Sequence, residues 1–235
     1  MSGHSKWAQI KRKKGATDAK RGTLFTKLAR SITVAAKSGP DPDANFQLRM
    51  AIEQAKAANL PKDNIERAIA KASGAGKDQL EQVIYEAFGP GGVAILIDVL
   101  TDNKNRSASE IKHILSAHGG SMAGPGSVRW MFDLRGVTRV PKPAQRRDEL
   151  ELKLIDAGVE DIEEEDGNLV IYSAPEKVKN IIKALGEIKP EYSGLEWIAK
   201  ERTEVKDKTI QEKLEKLYDA LDQAEDVNDY STNQV

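Results

Sequence analysis

The first thirty-seven residues constrain the fold most, because they cannot be its interior. Between Met1 and Lys37 stand ten Lys or Arg and a single acid, Asp18. Burying so many ammonium and guanidinium groups without counter-charges is prohibitively costly. The segment must therefore lie at a surface, and a one-signed surface attracts polyanions. Lys6, Lys11, Arg12, Lys13 and Lys14 crowd an arm that also carries His4 and Trp7. The indole offers a face on which a nucleic-acid base can stack.

The net charge of −1 hides an asymmetry. Residues 1–77 hold 16 basic and 6 acidic side chains, and residues 78–235 hold 20 and 31. A cationic front on an anionic body suits a nucleic-acid-facing module joined to a soluble remainder. Without cysteine there can be neither a disulfide framework nor a thiolate metal site. No apolar run approaches the length of a membrane helix, and the N-terminus has no apolar signal core. A transit peptide fits less well than a cytoplasmic protein, since the helical pattern runs from the basic segment into the body.

From about Thr17 to Lys37 the apolar residues Leu24, Leu28, Ile32 and Ala35 recur on one helical face. Lys20, Lys27, Arg30 and Lys37 fall opposite, so the reading is a helix held by one stripe and cationic on the other. Ser38-Gly39-Pro40 stops it. Phe46–Ala58 and a segment opening at Pro61 give two more helices, and Ser73–Gly76 reads as a linker. The period then changes. Gln82–Phe88 and Val93–Leu100 read as strands joined by Gly89-Pro90-Gly91-Gly92. Ser107 and Glu110 form a capping box for a helix ending at Gly119-Gly120. Val128, Trp130, Phe132 and Leu134 alternate as a half-buried strand. A second mixed unit follows. It has a helix over Leu150–Ala157, an acidic turn Glu163–Gly167 and a strand Leu169–Ser173. Pro175 opens a further helix, and Leu195, Trp197 and Ala199 alternate in a strand. Thr209 and Glu212 cap a last helix bearing Ile210, Leu214, Leu217 and Leu221, before a strand near Val227–Tyr230.

Little here points to catalysis. His113 and His118 are five apart, not the spacing that sets two ligands on one helix face. Glu110 and His113 have a di-iron spacing without the other carboxylate-bearing helices. The glycine clusters lack the Gly-Lys-Ser/Thr of a phosphate loop. Gly119–Gly126 reads as a helix stop and a long connection, open to a surface contact. We therefore expect no enzyme activity, no metal, no cofactor and no small-molecule substrate.

Several long strings in order resemble the YebC/PmpR family. They are Gly3-His-Ser-Lys-Trp-Ala-Gln-Ile-Lys11, Asp18-Ala-Lys-Arg21, Phe25-Thr-Lys-Leu28 and Leu60-Pro-Lys-Asp-Asn-Ile-Glu-Arg67. Tyr85-Glu-x-x-Gly-Pro-Gly-Gly-Val93, Leu100-Thr-Asp-Asn-Lys-Asn-Arg106 and His118-Gly-Gly120 continue the series. The likeness thins across 136–206 and returns in Asp226-Val-Asn-Asp, while Asp229–Asn233 departs from the usual tail. The resemblance implies a multidomain α and α+β protein: a helical N-terminal domain followed by two small ferredoxin-like α/β domains, the third inserted in the second. The expected boundaries are 1–76, then 77–135 with 204–235, and 136–203 as the insertion.

It also implies a regulator of gene expression. Some members are described as DNA-binding transcriptional regulators, and others resemble ribosome-associated factors that relieve stalling. Two partners stay open: duplex DNA, or ribosomal RNA and tRNA. An acidic protein-interaction scaffold is the remaining alternative. The residues expected to meet nucleic acid are His4, Lys6, Trp7, Lys11, Arg12, Lys13, Lys14, Lys20, Arg21, Lys27 and Arg30.

Overall fold

The computed structural model describes residues 18–73, 80–142, 147–165 and 167–235. Three helices come first: α1 (Asp18–Ala36), α2 (Phe46–Ala57) and α3 (Lys62–Ser73). The side chain of Asn45 starts α2 by accepting the Leu48 N–H at 3.1 Å. Leu28, Ile32 and Ala36 of α1 pack with Leu48, Ile52 and Ala55 of α2 and Ile65 and Ala68 of α3 in one cluster. Each large apolar side chain so buried contributes about 1.5–3 kcal/mol.

Next come β1 (Glu81–Phe88), β2 (Ala94–Thr101), α4 (Lys104–Ala117) and the short β3 (Ser121–Met122). They are followed by β4 (Phe132–Pro141), α5 (Arg147–Ala157), β5 (Val159–Glu165) and β6 (Asn168–Ser173). The chain ends with α6 (Val178–Ala184), β7 (Tyr192–Ala199), α7 (Lys208–Gln223) and β8 (Val227–Thr232). The strands form two four-stranded sheets, ordered β3-β1-β2-β8 and β5-β6-β4-β7. The chain divides into two compact units, residues 133–198 and the rest of the described chain. No helix among the described residues is long and apolar enough to cross a membrane.

The β1–β2 hairpin runs in register from Glu81 opposite Thr101 to Phe88 opposite Ala94. Gly91, at φ 73°, makes the turn in a left-handed conformation. The apolar run of β2 is covered on its inner face by Ile111 and Leu115 of α4 and by Leu214, Leu217 and Leu221 of α7. Strand β8 closes the other edge of β2, antiparallel, with Ile95 opposite Thr232 and an irregularity at Asp98/Val99. In the second unit, Val140, Leu150, Leu154, Leu169, Ile171, Ile181 and Leu185 make a separate core.

Several local expectations need correction. Helix α4 is capped by Asn103, which accepts the Arg106 N–H at 3.1 Å, and Ser107 lies inside it. Asp207 caps α7 in place of Thr209, because its carboxylate reaches the Thr209 and Ile210 N–H groups. Glu163, Glu164 and Glu165 belong to β5, paired with β6, and not to a turn. In β7 the phase is reversed at Leu195, which is exposed, while Glu196 is buried against Arg139. The strand expected from Val128 begins only at Phe132, since Arg129–Met131 form a 3-10 turn that puts Trp130 outside.

Candidate nucleic-acid interface

Helix α1 has two faces engaged, where its apolar period suggested one. The stripe through Leu28 and Ile32 meets α2 and α3. The opposite face, read from sequence as a cationic surface open to solvent, meets the segment linking α7 to β8. Lys27 is 5% exposed, and its Nζ donates to the Asp222 carbonyl at 2.8 Å. Arg30 Nη1 binds Asp226 Oδ1 at 2.7 Å, and Nη2 binds Glu225 Oε1 at 2.6 Å. Ser31 Oγ donates to Asn228 Oδ1 at 2.8 Å. Lys37, at the helix end, donates to the Leu80 carbonyl at 2.6 Å. The expected solvent face is thus corrected for Lys27 and Arg30. Two cations that period alone assigns outward find acceptors almost two hundred residues away.

Asp226 is the node of this contact. Its Oδ2 accepts from Ser107 Oγ at 2.7 Å, Arg106 Nη2 at 2.9 Å and Thr101 Oγ1 at 3.2 Å. Burial by itself raises its pKa. The bonds from Ser107, Arg106 and Arg30 outweigh that and bring it to about 2. The residues beside this node are a strand end, β2, and a helix start, α4. The Asp102-Asn103 corner serves turn geometry as expected, with Asp102 paired to Arg106 at 2.8 Å.

Of the other residues expected to touch nucleic acid, Arg21 is exposed on the first turn of α1, and Lys20 lies in that same turn. His4, Lys6, Trp7, Lys11, Arg12, Lys13 and Lys14 lie outside the described residues. A cleft of about 510 Å³ opens beside α1 and α3, lined by Phe25, Ala29, Arg67 and Lys71 and by the acids Asp102 and Glu225. Its mixed charge does not extend the cationic surface.

The histidines have local roles. His118 Nδ1 lies 2.8 Å from the Ile114 carbonyl at the end of α4, whereas Glu110 and His113 are exposed on that helix. Among the described residues, no three His, Asp or Glu side chains group as metal ligands.

A second feature escaped the sequence reading. Glu86 of β1, 8% exposed, receives the backbone N–H groups of Gly126, Val128 and Arg129 at 2.6, 2.6 and 2.9 Å. Burial works to raise its pKa, but these three donors prevail and hold it below the ordinary carboxylate value. A lone Glu in an alternating strand carries no signal that its partners are backbone groups forty residues on.

The comparisons with known proteins agree along the whole length. Residues 5–75 match the family model described as the TACO1/YebC protein N-terminal domain, and residues 80–234 match the TACO1/YebC second and third domain. A probable transcriptional regulatory protein of Desulfosudis oleivorans is 47% identical over 99% of this chain and 96% of its own. Another, from Kosmotoga olearia, is 48% identical over 99% and 94%. The crystal structure of a conserved hypothetical protein from Aquifex aeolicus superposes with a TM-score of 0.86 at 40% identity. It covers 98% of this chain and 97% of its own.

Proposed function

The chain belongs to the TACO1/YebC family, and on that premise we propose that it is a non-enzymatic cytoplasmic regulator of gene expression that binds nucleic acid through its N-terminal domain. The observation that carries this reading is the one-signed charge of the arm before α1. Lys27 and Arg30 have carboxylate or carbonyl acceptors within the chain, so they leave the proposed surface. The proposed surface is made of Lys6, Lys11, Arg12, Lys13, Lys14, Lys20 and Arg21, with His4 and Trp7. Each phosphate they neutralise releases counterions, so binding weakens steeply with salt. In this reading residues 1–76 make the contact, 77–135 with 204–235 form the body on which they dock, and 136–203 are an insertion.

The relatives are named probable transcriptional regulatory proteins, and in the first reading the partner is duplex DNA. Ribosomal RNA or tRNA is the second reading, and one observation favours it. From Lys27 onward both faces of α1 are packed within the chain, which disfavours its use as a major-groove recognition helix. A basic arm without base-edge readout suits irregular RNA.

The test reverses Lys11, Arg12, Lys13 and Lys14 together to Glu. Fluorescence anisotropy with duplex DNA and with structured RNA, across a salt series, is expected to show binding lost while circular dichroism is unchanged. Binding that survives the reversal overturns the reading. A large ratio of promoter to random duplex at about 0.15 M salt selects transcription. Cosedimentation with ribosomal subunits selects translation.

A further inference from the structure

The connection from Gly119 to Met131 is anchored by β3, by buried Val128 and by a series of backbone bonds. Gly120 N–H binds the Leu115 carbonyl at 2.8 Å, and Ala123 N–H binds the Glu86 carbonyl at 2.8 Å. Gly126, Val128 and Arg129 donate to the Glu86 carboxylate. The Lys200 N–H binds the Met131 carbonyl at 2.9 Å, which joins the loop to the stretch after β7. The three bonds to the Glu86 carboxylate are charge-assisted and about twice as strong as neutral ones. Val128 alone of the loop is buried, and Gly124 to Ser127, Arg129 and Trp130 all face solvent.

Trp130 is 67% exposed, the largest value among the big apolar side chains described. Its Nε1–H donates to the Ser127 carbonyl at 3.0 Å. The indole's one polar atom is therefore satisfied inside the loop, and the ring is oriented by the same backbone that Glu86 fixes. What remains outside is a flat π-surface, with exposed Arg129 next to it in the chain and exposed Lys200, just after β7, bonded through its backbone to Met131. A protein partner normally meets a contiguous apolar patch. Here the indole follows a stretch rich in glycine and serine and stands next to Arg129 in the chain, which suits a stacking platform for an unpaired base.

We propose that the Gly119–Met131 loop is a second nucleic-acid contact. Trp130 stacks on an unstacked base of a single strand, and Glu86 acts as the positioning residue that holds the platform. This rests on the reading of the chain as a nucleic-acid-binding protein but not on the basic arm as its contact. Glu86 does not touch the ligand; it presents the loop.

The full-length chain tests this by anisotropy with a labelled single-stranded oligouridylate and with a duplex of equal length. Trp130→Ala is expected to weaken single-strand binding about tenfold and to leave duplex binding unchanged, since one base stack is involved. Trp130→Phe keeps an aromatic face and retains most of the affinity, which a merely structural tryptophan would not explain. Glu86→Gln, checked for folding by circular dichroism, is expected to reproduce the single-strand loss. Because Trp130 is exposed, its truncation does not threaten the fold.

Unchanged oligouridylate affinity in Trp130→Ala overturns the proposal and assigns the indole to a protein partner. The fourfold Glu reversal of Lys11–Lys14 separates the two contacts. If it abolishes binding while Trp130→Ala does nothing, the arm stands and the loop falls. If Trp130→Ala weakens binding and the reversal does not, the loop stands and the arm falls.

Discussion

Arg30 and Asp226 close an ion pair of 2.7 Å across 196 residues of sequence. One belongs to the first helix and the other to the turn before the last strand. The pair, reinforced by Arg106, Ser107 and Thr101 on the same carboxylate, docks the helical segment on the first sheet.

Removing the charge at Asp226 leaves two guanidinium groups facing a weak acceptor. Asp226→Asn is expected to destabilise the chain by about 3 kcal/mol, in the range found when one partner of a buried pair is deleted. Urea unfolding checks this. A cycle with Arg30→Ala is expected to return a coupling of about 1–2 kcal/mol, because the two side chains share one contact. Strict additivity would show that the docking does not depend on the pair.

Acid should dissolve the same contact. The folded pKa of Asp226, about 2, lies below its ordinary value of 3.8. Its contribution is therefore fully present above pH 4 and is lost as the pH falls through about 2. The shift corresponds to about 2 kcal/mol. Stability measured at pH 4 and at pH 2 should fall by about that much more in the natural chain than in Asp226→Asn. Equal falls would place the acid sensitivity elsewhere.

The second unit carries a buried pair of its own. Arg139 and Glu196, almost fully enclosed, meet at 2.8 Å, with Tyr192 stacked 5.3 Å from the guanidinium. Glu196→Gln is expected to cost about 3–5 kcal/mol, whereas Arg139→Met with Glu196→Leu is expected to be nearly neutral. Differential scanning calorimetry of the three chains distinguishes a costly broken pair from a pair that is itself stabilising.

A Cβ placed on Gly136 would stand 2.1 Å from Val178 Cγ2 and 2.7 Å from Ser173 Oγ. Gly136→Ala is expected to lower stability by about 2 kcal/mol or more, the range for overpacking a filled site. Val178→Ala in the same chain should recover part of the loss. A melting temperature unmoved by Gly136→Ala would mean that α6 yields freely.

Periodicity read the apolar stripes of the helices well. Leu28 and Ile32 in α1, and Leu214, Leu217 and Leu221 in α7, all point where their spacing says. It failed where a polar residue goes inside for a partner distant in sequence. Lys27 and Arg30 look like solvent residues because their acceptors, Asp222, Glu225 and Asp226, lie at the other end of the chain. Glu196 breaks the alternation of β7 for the same reason, since only Arg139 makes its burial tolerable. Trp130 was misplaced by the reverse error: Val128, Phe132 and Leu134 set an even phase, and backbone bonds to Glu86 break it. The mixed α and β units were legible in the pattern. The joining of residues 204–235 to 77–135 was an expectation from family likeness alone, because local pattern holds no information about which distant segment closes a sheet edge.

That closure bears on how the protein is made and handled. Until residues 227–232 exist, β2 offers solvent an unpaired edge along the apolar run Ala94–Thr101. A product truncated before Asp222 therefore carries a sticky sheet margin and also lacks the acceptors of Lys27 and Arg30. Incomplete chains should be cleared or aggregate instead of accumulating as half-active fragments. Any fusion or affinity handle is also safer away from the final strand.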